Sequence, residues 1–254
     1  MPRIKCIVQY DGTNYAGYQI QPNAITIQEM IETRLQKMHK GELVRIHSSG
    51  RTDKGVHAIG QVFHFDTHLQ IEPAGWKKAL NALLPDDIYI HSVEYVADDF
   101  HARIDAEMKE YRYYVRQSDE VDIFKRNYLY TEKDSLDINK MKTACQWFIG
   151  RNDFTAFSSA RSTVQGTKVR TLYDVSCEKQ EDIYVFTLKG DGFLYHMVRI
   201  IVGVLIEAGK GNVTEADVNE MFASKNRQTV GKTLPPQGLY LWKVTYPEKE
   251  KYLQ

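Results

Sequence analysis

The chain has 254 residues, 43% hydrophobic and 26% charged, a balance that supports one large folded domain or two small ones and excludes disorder throughout. Basic and acidic residues number 33 each, so the net charge is zero and a nucleic-acid partner would have to be met by local patches rather than bulk charge. Cys6, Cys145 and Cys177 are odd in number and form no C-x-x-C pair, which excludes a disulfide framework and a zinc knuckle and fits a reducing compartment.

Residues 1–5 run straight into a strand-like segment with no signal-peptide core, and the most apolar stretch, residues 200–206, is far short of the roughly 20 needed to cross a bilayer. A cytoplasmic protein without membrane contact is expected.

In chain order, Ile4, Cys6, Val8 and Tyr10 alternate as a strand. An Asp11-Gly12 turn and a loop follow, and Thr26 with Glu29 three residues on opens a helix whose apolar face is Ile27, Met30, Ile31, Leu35 and Met38 and which Gly41 ends. Strands are predicted over residues 43–48 and 61–66, then a helix from Pro73 to residue 84, then a strand over 88–96.

The second half repeats the order. It reads as a strand over 111–116, a helix over 138–149 stopped by Gly150, strands over 169–177 and 183–188, helices over 195–208 and 214–224, and a closing strand over 239–246. The fold class is therefore α+β, with two similar split β-α-β (ferredoxin-like) halves, residues 1–104 and 105–254. Each half has an antiparallel or mixed sheet with helices on one face, and the active-site cleft is expected between them.

Gly50-Arg51-Thr52-Asp53-Lys54-Gly55-Val56-His57-Ala58 sets an acid and a base in a glycine-bracketed loop, the kind of segment that carries catalysts on a rigid sheet. On spacing alone the Asp can equally serve the turn's own N–H groups, and both readings stay open. Arg199 opens a helix apolar nearly all round, so it needs a carboxylate, either an acid from the other half or a structural one, unless it snorkels to water. Along residues 109–116, Tyr111, Tyr113 and Val115 share one strand face and Arg112, Tyr114 and Arg116 the other; one face can bury and the other can meet phosphate.

His57, His64, Asp66 and His68 have a spacing that can ligate a metal, although no second carboxylate cluster completes a hydrolytic site. The phosphate-cradling G-x-x-x-x-G-K-[ST], the dinucleotide G-x-G-x-x-G and the G-x-S-x-G elbow are all lacking, so no nucleotide cofactor is implied.

Together these segments resemble the tRNA pseudouridine synthase A family (TruA) from first strand to last. The shared markers are Tyr10-Asp11-Gly12, Gly17-Tyr18-Gln19, the Gly50 to Ala58 loop followed by Gly60-Gln61-Val62, Asp99-Phe100-His101-Ala102-Arg103, Tyr111-Arg112-Tyr113, Asn152-Asp153-Phe154, His196-Met197-Val198-Arg199 and Gly238-Leu239-Tyr240-Leu241. Tyr18 stands where the family usually has Trp or Phe, and Lys54 where it often has Ala.

The resemblance implies that Asp53 is a nucleophile that attacks the ribose C1′ or the uracil ring, that Arg51 helps displace the target base, and that Tyr111 lies against it and can take a proton. It implies further that Arg199 pairs with Asp53 and that Leu241 shields the site, so that Tyr111, Arg51, Leu241 and His57 are the residues expected around the bound nucleotide. Uridine would become pseudouridine at positions 38, 39 and 40 of the tRNA anticodon stem-loop, by a homodimer, with no cofactor and no metal. A non-catalytic RNA-binding module and a metal-dependent hydrolase built on the histidine group are the alternatives.

Overall fold

The computed structural model describes residues 1–159 and 166–247. Two compact units divide it: Met1–Met108 with the closing residues from Leu241 on, and Lys109–Tyr240.

In the first unit the elements run β1 (Arg3–Tyr10), α1 (Ile27–Met38), β2 (His47–Ser48), β3 (His57–Asp66), α2 (Pro73–Leu83) and β4 (Ile88–Val96). β1 lies between β4 and β3, antiparallel to both, and β2 pairs antiparallel with the far side of β3. Ile4, Cys6, Val8 and Tyr10 are buried along β1 while the residues between them are partly exposed, as a period of two dictates for a sheet with one covered face. Thr26 caps α1 by accepting the N–H of Glu29, which satisfies one of the helix's orphan donors. α2 packs on β4 and buries Trp76, whose ring meets Phe65 edge-on at 5.4 Å.

The second unit contains β5 (Met108–Gln117), β6 (Tyr130–Glu132), α3 (Ile138–Gln146), β7 (Gly150–Asp153), β8 (Val169–Gln180), β9 (Ile183–Gly190), α4 (Met197–Lys210), α5 (Glu215–Ser224) and the start of β10 (Leu239–Thr245). Its strand order is β5-β9-β8-β7, with β6 parallel to β5 and the other ladders antiparallel. The sequence β5-β9-β8 is the same first-third-second arrangement as β1-β3-β2, so the split β-α-β pattern is present in both units and the fold is α+β. α3 packs on β8 and α4. α4 is buried nearly all round, as its apolar sequence requires, and ends where Gly211 at φ +84° donates back to Ala208 and Asn212 to Glu207.

The largest departures from the sequence-derived elements are two shortened elements and two unforeseen short strands. The strand expected over 43–48 is reduced to His47–Ser48, because the buried carboxylate of Glu32 on α1 accepts the Ile46 N–H at 3.1 Å and binds Arg45 at 2.7 Å, diverting that backbone from a ladder. The helix expected to reach residue 149 ends at Gln146: Trp147, Phe148 and Ile149 donate three residues back, tightening the last turn, and Gly150 then opens a strand instead of following a helix. β6 and β7, of three and four residues, are too short to show an alternation in sequence. No helix among the described residues is long and apolar enough to cross a membrane.

Two outcomes follow from this packing. A methyl group on Gly203 of α4 would stand 2.7 Å from the Lys232 carbonyl oxygen, a backbone atom that cannot swing away. Gly203→Ala should therefore lower stability by about 1–3 kcal/mol, measured by urea unfolding.

His64 is buried, and its Nδ1 accepts the Ala102 N–H at 3.1 Å. Burial, helped by the nearby Arg3, His101 and His47 charges, lowers its pKa from 6.5 to about 4. Between those values the unfolded chain binds the proton more readily than the folded one, so His64 contributes stability that is full above about pH 6.5 and is lost on acidification toward pH 4. His64→Asn, which keeps an acceptor and removes the titration, should flatten the fall of the urea midpoint across that window.

Candidate active site

The Gly50 to Ala58 loop connects β2 to β3, and its course is set by backbone contact with the segment that follows β1. A Cβ on Gly12 would lie 2.0 Å from the Val56 carbonyl oxygen, so only hydrogen fits there. Gly17, at φ +109°, lets its chain approach Thr52 and Asp53 in the same way, since a Cβ there would be 2.9 Å from the Thr52 oxygen. The next residue, Tyr18, donates its N–H to that same Thr52 carbonyl at 3.0 Å. Loop and bracing segment are thus locked backbone to backbone.

Within the loop the exposure alternates. Arg51 and Lys54 are exposed, Thr52 is buried, Asp53 is half-buried and His57 is buried. Asp53 also closes a tight turn, its carbonyl accepting the Val56 N–H at 3.1 Å. Side-chain bonds fix the loop from below: the Gln61 amide donates to the Gly50 carbonyl at 2.9 Å and accepts from Ser49 Oγ at 2.6 Å, and Tyr10 Oη lies 2.8 Å from Thr52 Oγ1. Burial pushes the Tyr10 phenol pKa well up, against a smaller downward pull from its Thr52 and Gln61 hydrogen bonds, so it stays protonated.

His57 Nδ1 lies 3.1 Å from the Gly12 N–H and also 3.1 Å from Asp11 Oδ1. The first contact needs a bare nitrogen and the second a protonated one. The Asp11 oxygen already accepts both the N–H and the hydroxyl of Thr13, so the acceptor role toward Gly12 is the better satisfied arrangement. Its ring therefore ties the loop's end to the glycine that seats it.

The remaining sequence-derived candidates stand on regular elements. Leu241 of β10 is fully buried in the first unit. In the second unit, Tyr111 on β5 is buried and meets Phe193 edge-on, with ring centroids 4.9 Å apart. Arg199, in the first turn of α4, donates Nε–H to the Leu234 carbonyl at 2.7 Å and accepts the Leu234 N–H at its own carbonyl. The expected burial of Tyr111, Tyr113 and Val115 on one face holds. On the opposite face Arg112 binds Glu110 at 2.8 Å and Arg116 is paired with Asp182.

The histidine group of the hydrolase alternative does not converge. Asp66 is held by Arg3 at 2.7 Å, His64 accepts from Ala102, His57 is tied to Gly12, and His68 lies 3.7 Å from Glu42. Among the described residues no three His, Cys, Asp or Glu side chains form a group able to hold a metal ion. Alternation along one strand is a poor guide here, because each of these side chains has a nearer partner on another segment.

Sequence reasoning singled out Asp53 and its neighbours but gave Tyr10, Thr52 and Gln61 no task. The only signal was their presence within the Tyr10-Asp11-Gly12, Gly50 to Ala58 and Gly60-Gln61-Val62 motifs.

Comparison with known proteins covers nearly the whole chain. The family model described as tRNA pseudouridine synthase matches residues 6–105 and 144–247. A protein of Oceanobacillus iheyensis named tRNA pseudouridine synthase A is 52% identical over 248 residues, covering 98% of each chain. One of Bacillus cereus named tRNA pseudouridine synthase A 1 is also 52% identical, over 97% of this chain and 99% of its own. Another, of Listeria monocytogenes, is 50% identical and matched over its full length. With both units matched and the braced Asp53 loop inside the first matched stretch, the chain belongs to the tRNA pseudouridine synthase family.

Proposed function

We propose that this protein isomerises uridine to pseudouridine in tRNA, with Asp53 as nucleophile, acting on the anticodon stem-loop at positions 38, 39 and 40. The observation that carries the reading is full-length identity of about half to proteins named for that activity, combined with an aspartate on a loop that backbone contacts hold in one course.

The chemistry is internal to one nucleotide. The bond between N1 and C1′ breaks, the uracil turns while still held, and a bond between C5 and C1′ replaces it; C5 gives up its proton and N1 ends with one. Such an exchange requires no hydride carrier or nucleoside triphosphate, but it does require a fixed nucleophile and a pocket that keeps water from the released base.

Asp53 attacks either C1′ or the uracil ring. In this reading Arg199, on the residue 105–254 half, pairs with Asp53 and holds it ionised by direct charge attraction. Tyr111 lies against the base and accepts the C5 proton. Arg51, exposed on the nucleophile's own loop within residues 1–104, helps to displace the base from its stack, a step that costs a few kcal/mol and is least costly near a loop. Leu241 and His57 complete the surround of the nucleotide.

We further infer a homodimer, in which basic residues of two formally neutral chains line one tRNA groove. Binding to unmodified tRNA should then weaken steadily as salt is raised, measured by filter binding across a salt series; affinity indifferent to salt would remove the groove.

The enzymatic reading is checked by tritium release from tRNA labelled at uracil C5, in buffer containing EDTA. Wild type should release the label from tRNAs with uridine at 38–40, and Asp53→Asn should release none. Binding of the RNA by both proteins without release by either would put the RNA-binding module in its place.

A further inference from the structure

We propose that Tyr10 is a positioning residue for this reaction, fixing through its hydrogen bond to Thr52 the backbone from which Asp53 projects. The inference rests on the assignment of Asp53 as the nucleophile.

β1 brings Tyr10 to the loop at its regular buried phase, the last of the alternating positions Ile4, Cys6, Val8 and Tyr10. The register against β3 shifts between Val8 and Tyr10, and against β4 between Ile7 and Val8, with the extra residue on the partner strand each time, so Tyr10 comes to lie opposite Ala58, the last residue of the loop motif. The ring is 4% exposed, and its hydroxyl meets Thr52 Oγ1 at 2.8 Å, where Thr52 is itself 7% exposed.

Thr52 is the residue before Asp53, and it is held at two points. Its side chain is held by Tyr10, and its carbonyl by the Tyr18 N–H at 3.0 Å. Fixing both ends of one residue removes the rotation about its backbone that would otherwise swing the next Cα–Cβ bond. Gln61, which also reaches the Tyr10 hydroxyl, pins the loop's entry at Ser49 and Gly50, while the Tyr10 bond to Thr52 acts on the residue next to the acid. Because the phenol stays protonated in its buried setting, Tyr10 supplies a steady neutral hydrogen bond and no proton transfer. A misplacement of about 1 Å at a reacting group can cost about a hundredfold in rate, which is why such a bond matters to turnover.

The test uses the full chain and unmodified tRNA, reading single-turnover tritium release, tRNA affinity and unfolding midpoint together. Tyr10→Phe keeps the ring and removes the hydroxyl. It should slow release by about 10- to 100-fold with unchanged tRNA affinity. Thr52→Val should match it, the double variant should lose no more than either single one, and Thr52→Ser should release at close to the wild-type rate. Thr52→Val also probes the same bond from the loop side if the strand does not tolerate phenylalanine.

Wild-type release by Tyr10→Phe beside an inactive Asp53→Asn would overturn the proposal. So would losses that multiply in the double variant, or a lowered unfolding midpoint with normal turnover by the folded fraction. An active Asp53→Asn would remove the nucleophile assignment itself, a result distinct from any of these.

Discussion

The loop that carries Asp53 is shaped by a place where no side chain can be. At Gly12 the Val56 carbonyl occupies the space of a Cβ, and at Gly17 the Thr52 carbonyl nearly does. Main chain packed on main chain is a stiff contact, because peptide units are planar and have no rotamers to adjust. The stretch from Tyr10 to Tyr18 therefore serves as a mould for the stretch from Thr52 to Val56, and the polar contacts at the loop follow from it. The Tyr18 N–H reaches Thr52, the Gly12 N–H reaches His57, and the Tyr10 hydroxyl reaches the Thr52 side chain. The glycines of the Tyr10-Asp11-Gly12 and Gly17-Tyr18-Gln19 motifs thus have a shared physical reason, although they lie some forty residues from the loop they support.

The formal neutrality of the chain conceals how its charges are used. Lys210 at the end of α4 meets Asp134 at 2.8 Å, Glu132 at 3.1 Å and Glu207 at 3.3 Å, and Glu132 is almost wholly buried. Its ammonium is held well above the usual lysine range by these carboxylates, which together outweigh the opposing effect of burial. Arg3 with Asp66, Arg45 with Glu32 and Lys225 with Asp153 likewise tie one segment to another. These pairs engage more carboxylates than cations, so the overall sum of charge says little about the local field that an RNA would meet.

What the sequence disclosed about the fold depended on whether local chemistry agreed with tertiary packing. The starts of α1 and α5 were legible because Thr26 and Thr214 carry their own capping bonds, and α4 was legible because its apolar residues run without a break. The strand before the Asp53 loop is shorter than expected because its backbone donor at Ile46 goes to Glu32, a buried acid on α1 that no local pattern betrays. The histidines of β3 looked alike in sequence and have unrelated partners in space. Tyr10 read as one more apolar position of an alternating strand, since the Thr52 hydroxyl that meets its own lies 42 residues away on another segment. The Asp53 loop stood out through its Gly-Arg-Thr-Asp-x-Gly-Val-His run as a family marker, since its spacing alone left a plain polar turn open.

The division of labour among the proposed residues follows from what the reaction asks. A uracil that is released, turned and rejoined must move while everything around it stays still, so precision has to come from the protein alone. Tyr111 gets it from a strand interior and the face-to-edge contact with Phe193, and Arg199 from the first turn of a buried helix and the Leu234 carbonyl. Asp53 has no regular element to stand on. It occupies a loop, and there it needs the rigidity that a loop ordinarily lacks. The seat made by Gly12 and Gly17 and the hydrogen bonds of Tyr10 and Gln61 supply that rigidity, so a connection between two strands can hold the proposed nucleophile in one place.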